Sequence, residues 1–329
     1  MHLQFCFLKF LLNIDMILHN QSKIVDTALI NSAYAAISPL LESIKSTFNT
    51  NAYLEEFESD TFKTNYQIFT PVACSMWNEM LRCCGREGFA IIHSSLMIDA
   101  ICRFDENMPS EGYPESILAC FRRSFARILN KIRSMDFTGY DQPRDLMFKD
   151  LGICLQTLMP GGARVIEPIS AFPRSLIFRG GLRQFIEASW FILCKCHGNT
   201  PFFNLHTHDF ELDEFNEEGW KILFLRIADL LESRPNMKGV YVGSGWLYDP
   251  NLSKVSPRLD YHLGLTLPSG ARTFFYEYDD ENSYAFAKSE TRRRLFAAGK
   301  YRPALHVLIW PRKELLAWAS TFPNEERVL

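Results

Sequence analysis

Four short stretches carry residues whose types and spacing can do chemistry. The first is His206-Thr207-His208-Asp209, followed by Glu211, Asp213 and Glu214. Two histidines two apart on a strand project to the same face, and with a nearby carboxylate they can hold Zn²⁺ or Fe²⁺. His206, His208 and Asp209 are therefore the candidate metal ligands. The same residues also suit a strand-to-helix loop, whose acids place negative charge at a helix N-terminus. The second stretch is Cys194-Lys195-Cys196-His197. Its Cys-x-Cys spacing differs from zinc-site spacing, and a helix end turns the two thiols to different faces, so these read as structural cysteines.

The third stretch is Gly243-Ser244-Gly245-Trp246-Leu247-Tyr248-Asp249-Pro250. It follows a β-rich run and so falls near a strand's carboxyl end, where open α/β sheets bind ligands. Glycines there let backbone approach a ligand, and Trp246 can wall a pocket. Asp249, Tyr248 and Ser244 are the candidate catalytic groups. A plain turn ended by Asp249-Pro250 would use the same residues. The fourth stretch is Ser289 to Arg294, with Lys300, Arg302 and Arg312 following. Guanidinium forks suit phosphate or carboxylate, so Thr291, Arg292, Arg293 and Arg312, together with Arg258, are candidate substrate-binding residues. Cations also gather in the last turns of a helix for dipole reasons alone. His262 and His306 are possible bases, with no nucleophile placed beside either by the sequence.

These stretches need elements to position them. From Arg164 onward, strand-like and helix-like segments alternate about five times, which argues α/β layering on a mixed or mostly parallel sheet. The strand-like segments are Arg164–Ile169, Phe202–His206, Gly239–Leu247, Ala271–Tyr278 and Leu305–Trp310. The helix-like ones include Leu182–Cys196, Phe215–Leu231 and Tyr284–Ala298, with Gly299 as a C-cap. The preceding region is helical. Val25, Leu29, Ala33 and Ile37 recur at helical spacing, and Ser38-Pro39 predicts a second helix start. Residues 72–84 and 88–103 predict two helices split by Gly85 and Gly88. Ile117 to Ile132 forms an amphipathic helix with a basic face of Arg122, Arg123, Arg127, Lys131 and Arg133. Pro160-Gly161-Gly162 marks the boundary. The expected organisation is a mis-annotated or disordered start over 1–15, with Met16 an alternative start, a helical region over 16–160, and an α/β domain over 161–329.

Bulk properties set limits. The chain has 329 residues, 47% apolar and 22% charged, with a formal net charge of −3. This is ordinary globular composition, of a length suited to about two domains. The net charge argues against nucleic acid as a partner. Leu3 to Leu18 is apolar but broken by Lys9, Asn13 and Asp15, which argues against a membrane span or signal peptide. Nine cysteines, an odd number, suit free thiols in a reducing compartment, hence a cytoplasmic location. No Gly-x-Gly-x-x-Gly, Walker or Gly-x-Ser-x-Gly pattern is present, so no cofactor is specified.

Trp246, Tyr248-Asp249-Pro250, Ser256-Pro257-Arg258-Leu259, Thr291-Arg292-Arg293, Gly299-Lys300-Tyr301-Arg302-Pro303 and Trp310-Pro311-Arg312 resemble a C-terminal block of uncharacterised bacterial proteins with no established activity. The resemblance implies no mechanism. The Arg294 to Gly299 segment lacks the second glycine of the acetyltransferase pyrophosphate loop, and the Gly198–Gly219 stretch departs from cupin metal-motif spacing at three gaps.

Three functions follow as expectations. The first is an enzyme acting on a small phosphate-, carboxylate- or coenzyme A-bearing substrate by acyl or other group transfer. The second is a metal-dependent enzyme using the His-x-His-Asp site. The third is a binding protein that uses the basic amphipathic helix. Oligomeric state is left open by the sequence.

Overall fold

The computed structural model describes residues 24–45, 48–49, 53, 70–287 and 289–323. The expected start over residues 1–15 and the Leu3–Leu18 stretch lie outside the described residues. The chain divides into two units, Met1–Gly112 with Leu118–Pro160, and Tyr113–Ile117 with Gly161–Leu329. The fold is mixed α/β, and among the described residues no helix is long and apolar enough to cross a membrane.

The first unit is built from α1 (Thr27–Lys45), α2 (Pro71–Cys102), α3 (Glu115–Arg133, from Leu118 onward), α4 (Asp145–Cys154) and a two-residue strand, β1 (Met159–Pro160). One expectation is corrected here. Ser38-Pro39 does not start a second helix: α1 runs through Pro39. Ile30, Ala33, Ile37 and Leu41 form one buried stripe across that point, while Pro39 faces solvent. Continuous packing outweighs the one backbone bond that proline removes. The expected break at Gly85 is present: its backbone is non-helical, with φ 66° and ψ −172°, and it divides α2 into two helices joined at a kink, while Gly88 lies within the second.

The α3 stripe is as expected: Phe121, Phe125, Ile128, Leu129 and Ile132 are wholly buried. Part of its basic face is engaged within the unit. Arg127 grips the buried Asp150 with two bonds of 2.9 and 2.6 Å, and Lys131 pairs with Asp136 at 2.9 Å. His93, also wholly buried, lies 2.8 Å from both the Phe89 carbonyl and the Tyr53 hydroxyl. Burial, offset in part by the Phe89 carbonyl, lowers its pKa to about 4.

The second unit holds β2 (Val165–Ser170), α5 (Leu176–Arg179), α6 (Gly181–Cys194), β3 (Phe202–His206), α7 (Glu217–Ser233), β4 (Gly239–Gly245), α8 (Leu252–Val255), α9 (Tyr261–Gly264), β5 (Arg272–Tyr278), α10 (Glu290–Ala297), β6 (Ala304–Pro311) and α11 (Arg312–Ala319). Its strands lie in the order β2-β3-β4-β6-β5. Only β3 and β4 pair in parallel; β2 with β3, β4 with β6 and β5 with β6 are antiparallel. The sheet is therefore mixed, not mostly parallel. Alternation alone does not impose parallel pairing, because a connection must carry the chain back along the full strand length to do so. Between β2 and β3 the helical segment breaks at Gly180-Gly181, Gly181 having φ 75°, and β3 returns antiparallel to β2.

One sheet face presents Phe202, Tyr241, Phe274, Val307 and Ile309 to Ala188 and Phe191 of α6. The other carries Trp310, whose ring meets Phe224 of α7 at 5.0 Å and Trp318 of α11 at 5.1 Å. Cys74, Cys83, Cys84, Cys102, Cys120, Cys154, Cys194 and Cys196 are all free thiols, with Cys120, Cys154 and Cys196 buried.

Candidate functional site

The parallel pair sets the place. β3 ends at His206 and β4 ends at Gly245. Antiparallel β2 enters at the same end, Val165 standing opposite His206, and β6 does likewise, His306 standing opposite Gly245. Arg164, His206, the Gly245–Tyr248 turn and His306 therefore gather where the carboxyl ends of β3 and β4 meet, the usual ligand end of such sheets.

Arg164 is the centre of this region. The turn before it closes through a 2.9 Å bond from the Gly161 N–H to the Arg164 carbonyl. Buried Arg226 secures the turn, donating to the Gly161 carbonyl at 2.9 Å and to Glu214 at 3.2 Å. At Gly162, with φ 95°, a side chain would collide with that Glu214–Arg226 pair, so glycine is required twice over. The Arg164 side chain turns inward and the residue is 6% exposed. Its Nη2 donates to the Tyr248 hydroxyl at 3.1 Å, and its guanidinium lies 5.1 Å from the Trp220 ring centre and 5.4 Å from that of Phe215. Among the described residues no carboxylate pairs with it, and its Nε has no hydrogen-bond partner.

His262 completes the cluster. It is wholly buried, with its ring 4.7 Å from Trp220, 4.2 Å from Tyr261 and 6.3 Å from Tyr248. Among the described residues neither ring nitrogen has a partner, and neither does Trp220 Nε1. Burial, with the Arg164 charge adding to it, pushes the His262 pKa down to about 3. Burial raises the Tyr248 hydroxyl above its ordinary value, against the pull of Arg164. Phe215 and Tyr261 are half-buried and form the outer side, Tyr261 donating to the Phe215 carbonyl at 3.3 Å. Buried polar groups are normally bonded and buried charges normally paired. Here a cation, an indole N–H and an imidazole share one aromatic enclosure with donor capacity unspent. That donor set suits an anion.

A second group lies on the other face of the sheet, the face of Tyr241, on β2 and β3. Glu167 Oε2 is 3.0 Å from His206 Nε2 and accepts from Asn204 Nδ2 at 3.1 Å. Glu167 and Asn204 are register partners, and His206 is the next residue on that face. Burial alone would raise the Glu167 pKa, but hydrogen bonds from His206, Asn204 and Ser170 and the His206 charge carry it below the usual carboxylate range. A carboxylate that orients an imidazole in this way is the arrangement general acid–base chemistry uses.

The residues singled out from sequence fall into separate places. Tyr248 joins Arg164. Asp249 is 1% exposed and its carboxylate accepts from the backbone N–H of Asn251 at 2.9 Å and of Ala304 at 3.4 Å, which holds the turn. Asp249 and Arg292 both act on buried Tyr301, whose pKa burial raises to about 12, and Asp249 also acts on His306. Arg292 is 4% exposed and braces the chain: Nε donates to the Ala285 carbonyl at 2.5 Å, Nη1 to Ser256 at 2.8 Å, and the guanidinium lies 4.6 Å from the Trp246 ring centre. Ser244, Arg258 and Thr291 are exposed, and Arg293 bonds Glu290 and the Phe286 carbonyl, both at 3.3 Å. Arg312 lies at the opposite end of the sheet, beside Pro311, which pairs with Gly239, and caps α7 through the Leu231 and Arg234 carbonyls. It does not join Arg292. His208 is buried and its Nδ1 accepts from the Phe210 N–H at 3.2 Å, while Asp209 is exposed. Among the described residues no three His, Cys, Asp or Glu side chains gather as metal ligands would.

Sequence reasoning passes over Arg164, Glu167, Asn204 and Trp220 as site residues and weighs His262 only as an isolated base. The available signal was an arginine and a glutamate set in an otherwise apolar strand segment. No protein-family model, curated protein or solved structure matches the chain.

Proposed function

We propose that the chain binds a small anionic molecule, carboxylate- or phosphate-bearing, at the carboxyl ends of β3 and β4, and acts on it as an enzyme. Arg164 supplies the ion pair, with Trp220 Nε1 and His262 as further partners, and the rings of Phe215, Tyr248 and Tyr261 form the walls. The observation that carries this reading is the buried Arg164 guanidinium, which has no carboxylate partner among the described residues. An unneutralised buried cation is costly, and an anionic ligand is the simplest group to offset it. The earlier anion-binding candidates support the reading less, since Arg292 and Arg312 spend their donors on the protein itself.

The test is a thermal-shift and calorimetric panel of inorganic phosphate, small carboxylates, coenzyme A and nucleotides against wild type, Arg164→Met and Arg293→Met. The expected result is a ligand that stabilises wild type and Arg293→Met but not Arg164→Met. No response at millimolar ligand, or equal loss in both variants, would sink the reading.

A further inference from the structure

Helix α6 covers the sheet with little of its own surface. Ala188 and Phe191 are its buried residues. Its outer side carries Leu182 at 74% exposure, Phe185 at 39%, Ile186 at 60%, Trp190 at 56% and Leu193 at 68%, and Phe178 of α5, at 68%, meets Phe185 ring to ring at 5.6 Å. Leu182, Ile186, Trp190 and Leu193 recur at the three- and four-residue steps that make one continuous stripe on a helix. An apolar patch of this kind on a protein surface marks a contact.

We infer that this stripe is the interface with a second copy of the chain, the two α6 helices packing antiparallel about a two-fold axis near Ala188. Three observations select a second copy. The stripe is self-complementary: Ile186 and Trp190 stand two residues either side of Ala188, and Leu182 and Leu193 lie near the two ends, so an antiparallel copy places large side chain against large side chain along its length. The area fits: six such side chains, each leaving roughly 100 Å² outside, put on the order of 1,200 Å² of apolar surface into a two-fold contact, within the ~1,200–2,000 Å² of stable interfaces. A groove of about 310 Å³, lined by Phe172, Ile177, Ile192 and Leu193 among others, opens beside the stripe and has room for a large side chain from across the axis.

Charge argues against an anionic bilayer as the occupant. Such surfaces select helices rich in unpaired Lys and Arg. Arg183, the cation of α6, is paired with Glu187 at 2.8 Å; Lys195 is paired with Glu314 at 3.1 Å, and Arg179 stacks on Tyr276.

Sedimentation equilibrium on the full chain tests the inference. Wild type is expected to be a dimer at micromolar concentration. Ile186→Glu and Trp190→Glu, both at exposed positions, are expected to raise the dissociation constant at least tenfold with unchanged far-ultraviolet dichroism, while Val72→Glu, at an exposed position elsewhere, leaves it unchanged. A wild type that stays monomeric at high micromolar concentration overturns the inference. So does a dimer that both variants leave intact. A monomer that pellets with phosphatidylcholine–phosphatidylglycerol vesicles also overturns it, in favour of a lipid surface.

Discussion

Arg164 and His262 are buried with bonding capacity unspent, and such positions trade stability for use. Arg164→Met is expected to weaken the best anionic ligand about 100-fold, the order of effect seen when one member of a buried charged pair is removed; isothermal titration measures it. His262→Phe removes two unbonded ring nitrogens from an aromatic enclosure. It is expected to raise unfolding free energy by about 1 kcal/mol at neutral pH while lowering ligand affinity, as read by urea unfolding and titration. A variant that is neither more stable nor weaker in binding would mean His262 is inert filling. The pH dependence has a definite sign. The folded pKa of about 3 lies below the ordinary imidazole value, so the unfolded chain takes up its proton first. The contribution is complete above the unfolded value and falls away as pH drops toward the folded one. Between pH 7 and 5 the loss is about 2 kcal/mol, and His262→Phe should abolish that part of the acid sensitivity.

At the scale of elements, α7 is what brings Trp220 under Arg164. Its start is set by Asn216, whose side chain accepts from the Gly219 N–H at 3.0 Å, and its end by Arg312 on the Leu231 and Arg234 carbonyls. Asn216→Ala is expected to cost about 1 kcal/mol, as loss of an N-cap does. Because the first turn carries Trp220, ligand affinity should fall with it. A binding constant unchanged in the face of that stability loss would detach α7 from the site. In the first unit, Gly85 allows the α2 kink at φ 66° with open space around it. Gly85→Ala is then limited by backbone strain alone, about 1–3 kcal/mol because φ 66° with ψ −172° is a glycine region, readable in denaturant midpoints without change in ligand binding.

At the scale of the molecule, among the described residues each unit holds a wholly buried histidine of lowered pKa, His93 in the first and His262 in the second. Both are bound to lose stability as pH falls below the unfolded imidazole range. Native-state hydrogen exchange is therefore expected to show protection falling in α2 and in β3–β4 alike by about pH 5. An acid-resistant unit would show that its histidine titrates without penalty. The dimer proposed through α6 adds a concentration dependence to such measurements, so they belong at fixed protein concentration.

Periodic local signals determined much of the architecture without tertiary information. The α3 stripe, the strand segments and α7 are legible because a packed face imposes a repeat on consecutive residues. Gly85 marked a real break, whereas Pro39 misled because the propensity of one residue yielded to packing along a whole helix. The location of the candidate site, at the end of β3 and β4, was legible in the Gly243–Pro250 turn. Its chemistry was not. Arg164 meets Tyr248, Trp220 and His262 across separations of 56 to 98 residues, and Glu167 meets His206 across 39. No spacing rule reaches that far. Strand register and side-chain direction decided which cations were spent on backbone carbonyls, as Arg292 and Arg312 are, and which were left buried without a carboxylate among the described residues, as Arg164 is. An arginine looks alike in sequence in either state, because what separates them is the desolvation and the partners that only folding supplies.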